Sequence, residues 1–138
     1  GKGFIIPDLP FEEYGSLFDY SIKFGIDPIM LCTPTNKEER LKEICSHGRG
    51  FIYCVARKGV TGESTVLEQS TEDFLLQCRQ FSELPLALGF GLSKPEELRM
   101  LQGKAEIAIV GTALLKTWEN DGESAYKKQL NSLADARD

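Results

Sequence analysis

Two glycine-bearing turns hold the residues best suited to chemistry. Gly89-Phe90-Gly91-Leu92-Ser93, followed by Lys94-Pro95-Glu96, reads as a strand end, a turn through residues without a Cβ, and the start of a helix. Such a turn exposes backbone N–H groups at close range, which is how a helix start holds a phosphate. An ordinary tight strand-to-helix turn has the same composition. Val110-Gly111-Thr112-Ala113 repeats the arrangement, with Thr112 supplying a hydroxyl and an amide; here the alternative is a simple N-cap. Two such turns on adjacent strands, both at the C-terminal edge, favour a shared phosphate site over two unrelated turns.

The stretch from Tyr53 through Arg57-Lys58-Gly59-Val60-Thr61-Gly62 runs from a strand into a connection lasting to about Ser70, long for a strand-to-helix link. A lid or binding loop hinged at Gly59 and Gly62 fits that length, as does a surface loop without function. Arg57 and Lys58 could attract a phosphate or form a solvated basic pair. Tyr53 is open to a pocket role or to core packing. Asp8, after the first strand, could be an active-site acid, but capping of the following turn or helix is the expected role. His47 is the only histidine, so a histidine-rich zinc site or a Ser-His-Asp triad has almost nothing to be built from.

Five apolar runs are expected to be strands: Gly3 to Pro7, Ile29 to Cys32, Phe51 to Val55, Leu86 to Gly89 and Ile107 to Val110. None alternates cleanly, as for parallel strands buried on both faces. Between them the period becomes helical. Tyr14, Leu17, Phe18 and Ile22 share a stripe; Leu41, Ile44 and Cys45 share another; then come Phe74, Cys78 and Phe81, and Leu98 with Leu101. Asn36 with Glu39, Ser70 with Asp73, and Ser93 with Glu96 have capping-box spacing, and Pro95 suits a first helical turn. After the last strand a helix is expected through Ala113 to Trp118, broken at Asp121-Gly122 and resumed with Tyr126, Leu130 and Leu133.

Strand-helix units repeating in this way leave an open doubly wound sheet or part of a (β/α)8 barrel. Glycines at the ends of the third, fourth and fifth strands favour the barrel, because a doubly wound nucleotide fold concentrates them after its first strand. Residues 1–138 are expected to form part of one domain, since no linker interrupts them.

A net charge of -5 gives no reason to expect nucleic acid or anionic membrane as a partner, and no apolar run is long enough to span a bilayer. Cys32, Cys45, Cys54 and Cys78 form no CxxC pair, and three of them lie in apolar runs where cysteine acts as a small hydrophobe. A reducing cytoplasm and no metal site are expected.

Several segments carry a family resemblance: Ile5-Ile6-Pro7-Asp8-Leu9-Pro10 with Glu12-Glu13, Leu31-Cys32-Thr33-Pro34-Thr35, Gly50-Phe51-Ile52-Tyr53, Arg57 to Gly62, Gly89 to Glu96 and Val110 to Ala113. In order and spacing they resemble tryptophan synthase α chains over nearly the whole sequence. The Arg-x-Gly-Val-Thr-Gly loop is the most specific element. The resemblance implies a (β/α)8 TIM barrel, of which this chain supplies roughly the last five βα units. It implies a lyase that cleaves indole-3-glycerol phosphate to indole and glyceraldehyde 3-phosphate and passes indole to a β subunit carrying pyridoxal phosphate, with no cofactor in the α chain. It also implies that Gly62, Gly91, Gly111 and Thr112 hold the substrate phosphate, that Ile5, Leu31, Tyr53, Thr61 and Phe90 form pocket and lid, and that Gly59 approaches the β subunit. Thr112 stands where serine is more usual, and Pro7 where alanine is.

Retro-aldol cleavage needs an acid and a base. In the family these are a glutamate and an aspartate from the second strand and the loop after it, whereas this sequence begins at the fourth strand. The chain is therefore expected to be an excerpt without catalytic residues of its own. A different class of function, a weakly active or inactive partner that regulates the β subunit, stays open beside the lyase.

Overall fold

The computed structural model describes residues 2–56, 69–89 and 91–137. Strands β1 (Gly3–Phe4), β2 (Asp27–Pro28), β3 (Met30–Cys32), β4 (Ile52–Val55), β5 (Leu86–Gly89) and β6 (Ile107–Ile109) alternate with helices α1 (Gly15–Phe24), α2 (Glu38–His47), α3 (Gln69–Phe81), α4 (Pro95–Arg99) and α5 (Thr112–Asp135). All pairings are parallel. β1 pairs with β2, and β3-β4-β5-β6 follow in chain order. One segment, residues 27–32, supplies both β2 and β3, so the five strand positions expected from the sequence are all present. The Ile29 amide still donates to the Phe4 carbonyl (2.9 Å), which carries the ladder past Pro28 and its missing N–H.

Strand order that never reverses is the winding of a barrel, whereas a doubly wound sheet reverses at its switch point. The burial pattern agrees. Met30, Cys32, Ile52, Cys54, Leu86 and Leu88 alternate onto one side, where they meet Tyr14 at the start of α1, Leu41, Ile44 and Cys45 of α2, Phe74, Leu75 and Cys78 of α3, and Leu92 and Leu101 around α4. The helices thus share one face of the sheet. On the other face Leu31, Tyr53, Ala87 and Ile107 form one register row across four strands.

Helix ends account for several departures from the sequence expectation. α1 closes on Gly25 in the left-handed region (φ 62°), with Gly25 N–H donating to the Ile22 carbonyl and Ile26 N–H to the Ser21 carbonyl. That double bond pattern is a Schellman stop. Ser21, not Ile22, continues the buried stripe of α1; Ile22 is 59% exposed, because the face toward the sheet follows positions 14, 17, 18 and 21. α2 begins after Lys37, not Asn36: the Asn36 side chain is used in the preceding turn, where its Oδ1 accepts the Thr33 N–H at 2.7 Å. Ser70 lies inside α3, and Asp73 accepts from the Gln69 side chain (2.9 Å). α4 does start at Pro95. The expected break in the last helix falls at Gly122, whose φ of 81° interrupts α5, and Trp118 meets Tyr126 edge-on across it. No described helix is long and apolar enough to cross a membrane.

Candidate phosphate site at the strand ends

Register places the two glycine turns side by side. Gly89 pairs with Ile109, so Gly91 and Gly111 each stand two residues beyond the last paired position of neighbouring strands. Gly91 has φ 72°, a left-handed conformation that favours glycine, and open space lies where a Cβ would project. Gly111 is the N-cap residue of α5, also with open space around it, and Thr112 is the first helical residue. Gly111 has no side chain with which to cap α5, and the first intrahelical bond is donated by Leu115 to the Gly111 carbonyl (3.1 Å). The amides of the first turn of α5 therefore face outward with the positive end of the helix dipole behind them.

α4 is built differently, and here the sequence expectation is corrected. Its capping carboxylate is Glu97, one residue later than the spacing from Ser93 to Glu96 had suggested, because Lys94 is the N-cap residue. Glu97 is 5% exposed and accepts the amides of Ser93 (2.7 Å) and Lys94 (3.0 Å) with one oxygen. Those two N–H groups are consumed by a side chain of the same helix, and a carboxylate occupies the place an anion would take. What remains for an anion in this turn is the backbone around Gly91. The turn is held against α5 by the Gln129 side chain, whose Nε2 donates to the Ser93 carbonyl at 3.4 Å.

The pocket residues expected from the sequence divide cleanly. Leu31 and Tyr53 are register partners on the face away from the helices. The Tyr53 ring lies over Gly89: a Cβ there would sit 2.8 Å from the tyrosine oxygen and 2.9 Å from Cε1. Ile5, 40% exposed, follows β1 on the same face, since the Cβ position of Gly3, two residues earlier, looks toward the Ile29 side chain. Gly59, Thr61, Gly62 and Phe90, together with Arg57 and Lys58, lie outside the described residues.

Asp8 does not cap the 3-10 turn that follows it. Ile6-Pro7-Asp8-Leu9 is a turn closed by Leu9 N–H donating to the Ile6 carbonyl (3.3 Å), and the 3-10 turn at Phe11–Glu13 starts after Pro10 without a side-chain cap. The capping expectation fails because Asp8 belongs to its own turn, two residues too early. Pro7 fits the second position of that turn, where a fixed φ near −65° is favoured. It lines a cavity of about 210 Å³ with Leu31, Asn36 and Arg40.

One polar cluster escaped the sequence reading. Glu106, ahead of β6, accepts Arg79 of α3 through both oxygens (2.6 and 2.7 Å) and the Leu86 amide of β5 (2.7 Å), and Arg79 also donates to the Leu84 carbonyl (3.0 Å). Burial works against the charged form of Glu106, but the Arg79 and Leu86 hydrogen bonds outweigh it and hold the carboxyl below its usual range. The cluster sits at the N-terminal ends of the strands, where barrel residues serve stability. Nothing in the spacing of residues 79, 86 and 106 announces it.

Singly wound parallel strands, helices on one face, and glycine turns at the C-terminal ends of the last two strands define part of a (β/α)8 barrel. The family model for the tryptophan synthase alpha chain matches residues 1–137, and the chain belongs to that family. It is 41% identical to the alpha chain of Desulforapulum autotrophicum over 133 residues, covering 96% of this chain and 53% of that one. It is also 41% identical to the alpha chain of Methanocaldococcus jannaschii over 118 residues, covering 86% and 42%. Among solved structures, it superposes on tryptophan synthase from Mycobacterium tuberculosis with a TM-score of 0.87 at 27% identity, over 99% of this chain and 51% of that chain. The tryptophan synthase complex from Pyrococcus furiosus gives 0.81 at 28% identity, over 96% and 54%. The chain thus spans about half the length of the relatives it matches, and its fold is the corresponding part of their barrel.

Proposed function

We propose that this chain is the C-terminal portion of a single TIM-barrel domain that cleaves indole-3-glycerol phosphate to indole and glyceraldehyde 3-phosphate. In this reading the chain supplies the grip on the phosphate. Membership of the tryptophan synthase alpha family supports the reaction class. The observation that carries the role of this segment is the uncapped start of α5 beside the left-handed Gly91 turn, both at the same level beyond paired strands. Amides of Gly111, Thr112 and the Gly91 turn would donate to the phosphate oxygens, with Gly62 as a further donor. Leu31, Tyr53 and Ile5 offer an apolar wall to the indole, completed by Phe90 and closed by the loop containing Thr61. The acid and base come from the other part of the barrel, so this chain binds and orients while its counterpart moves the protons.

The same reading assigns a tryptophan synthase β subunit as partner, approached near Gly59, and places pyridoxal phosphate on that subunit with no residue of this chain devoted to it. The cytoplasm is the compartment such a biosynthetic complex would occupy. A regulatory partner with little catalysis of its own is the competing reading.

Indole release from indole-3-glycerol phosphate, measured on the complete natural polypeptide with and without β subunit, separates the two. Turnover that rises with the partner supports the lyase; no release under either condition sinks it. Gly111→Asp tests the phosphate grip separately. Its φ of −121° and open surroundings accept a side chain, and an aspartate there caps α5, so stability should hold or rise by a few tenths of a kcal/mol. The same carboxylate meets the substrate phosphate and should weaken binding roughly tenfold or more, since like charges in contact cost over 1 kcal/mol. Unchanged affinity in the folded variant refutes the assignment.

A further inference from the structure

All four cysteines of the chain come from different elements and lie in the core between sheet and helices: Cys32 on β3, Cys45 on α2, Cys54 on β4 and Cys78 on α3. Each is buried, three of them completely. The Cys32 sulfur lies 3.7 Å from that of Cys54 and 3.6 Å from that of Cys78, and all three sulfurs fall within 4.8 Å of one another. Cys45 lies in the same buried core cluster, beside this group of three. Thiols can pack in a core as small apolar groups, but that role requires no mutual contact among them. A tetrahedral ion with metal–sulfur bonds of about 2.3 Å sets its sulfurs about 3.8 Å apart, close to the separations found here.

We propose that Cys32, Cys54 and Cys78, joined by Cys45 once its side chain turns toward the ion, form a structural site for a thiophilic d10 metal ion, Zn2+ in the first instance. Sulfur donors select such ions, and full enclosure leaves no open position for a substrate, so the site is structural and not catalytic. On binding, the ion displaces one proton to solvent from each thiol it ligates. Four thiolates around Zn2+ carry a net charge of −2, the balance of an all-cysteine structural zinc site. The ion would clamp β3, β4, α2 and α3 together, the elements around which the described core is built. This proposal is independent of the phosphate site, since none of its residues faces the glycine turns.

The test uses the complete natural polypeptide, purified under reducing conditions without an affinity metal or chelator. Elemental analysis after gel filtration should find about one equivalent of zinc per chain. Cobalt exchange should produce sulfur-to-cobalt charge-transfer absorption, and Cys54→Ser should lose that absorption along with the zinc. Folded, reduced protein that holds no stoichiometric zinc and shows no cobalt–thiolate absorption overturns the proposal, as does recovery of a disulfide among these cysteines. If Cys54→Ser fails to fold, the two wild-type measurements decide the matter.

Discussion

Gly89 and Tyr53 show how one missing side chain shapes the candidate pocket. Tyr53 covers the glycine so closely that an added methyl group overlaps the ring and its oxygen. Gly89→Ala should therefore displace the tyrosine at a cost of about 1–3 kcal/mol, the range for overpacking a tight contact. Urea denaturation checks the cost. Combined with Tyr53→Ala, the loss should be smaller than the sum of the two single variants, because the clash disappears with the ring. In the proposed enzyme the displaced ring would also intrude on the indole, raising KM. At this scale glycine has two distinct jobs: Gly91 turns the backbone, whereas Gly89 makes room for a neighbour.

Two tests belong to the elements. α5 is interrupted at Gly122, whose φ of 81° and ψ of −176° lie in a region almost reserved for glycine. Gly122→Ala should cost about 1–3 kcal/mol, read from thermal or urea unfolding, with Trp118 and Tyr126 moving apart as the break is forced to rearrange. The second test concerns the Glu106 cluster, which ties α3 to the starts of β5 and β6. Glu106 has a lowered carboxyl pKa in the folded state, so its contribution is complete above the unfolded value near 4.5 and is lost as pH falls through the folded value. Wild-type stability should decline over that acid window. Arg79→Met, which removes the main hydrogen-bonding partner, should flatten the decline, and an identical pH profile in wild type and variant would rule out the Arg79 contribution.

At the scale of the molecule, the helices cover one face of the sheet while the other carries Leu31, Tyr53, Val55 and Ile109 half-buried and Ile5 exposed. An apolar sheet face bounded by two open strand edges invites association. A polypeptide of residues 1–138 alone should bind a hydrophobic dye and self-associate in gel filtration, and it should release no indole from indole-3-glycerol phosphate. The complete barrel should do neither of the first two. A dye-free monomer of residues 1–138 would mean that this face closes on itself.

Local pattern was enough for the strand positions, the helices between them, the break at Gly122 and the family, because each rests on apolar period, glycine placement or a contiguous motif. It also located the turns at Gly91 and Gly111, since a turn's chemistry is written in adjacent residues. Tertiary structure alone decided which amides in those turns are taken: among the described residues Glu97 takes two of them at α4, whereas Gly111 has no side chain to take those at α5. That outcome depends on where the helix starts, and a one-residue shift changes which carboxylate reaches back. The ion-pair cluster of Arg79 with Glu106 and the meeting of three cysteines were equally hidden. Their members lie tens of residues apart and are brought together only by strand register and the packing of helices on the sheet, which no local spacing encodes.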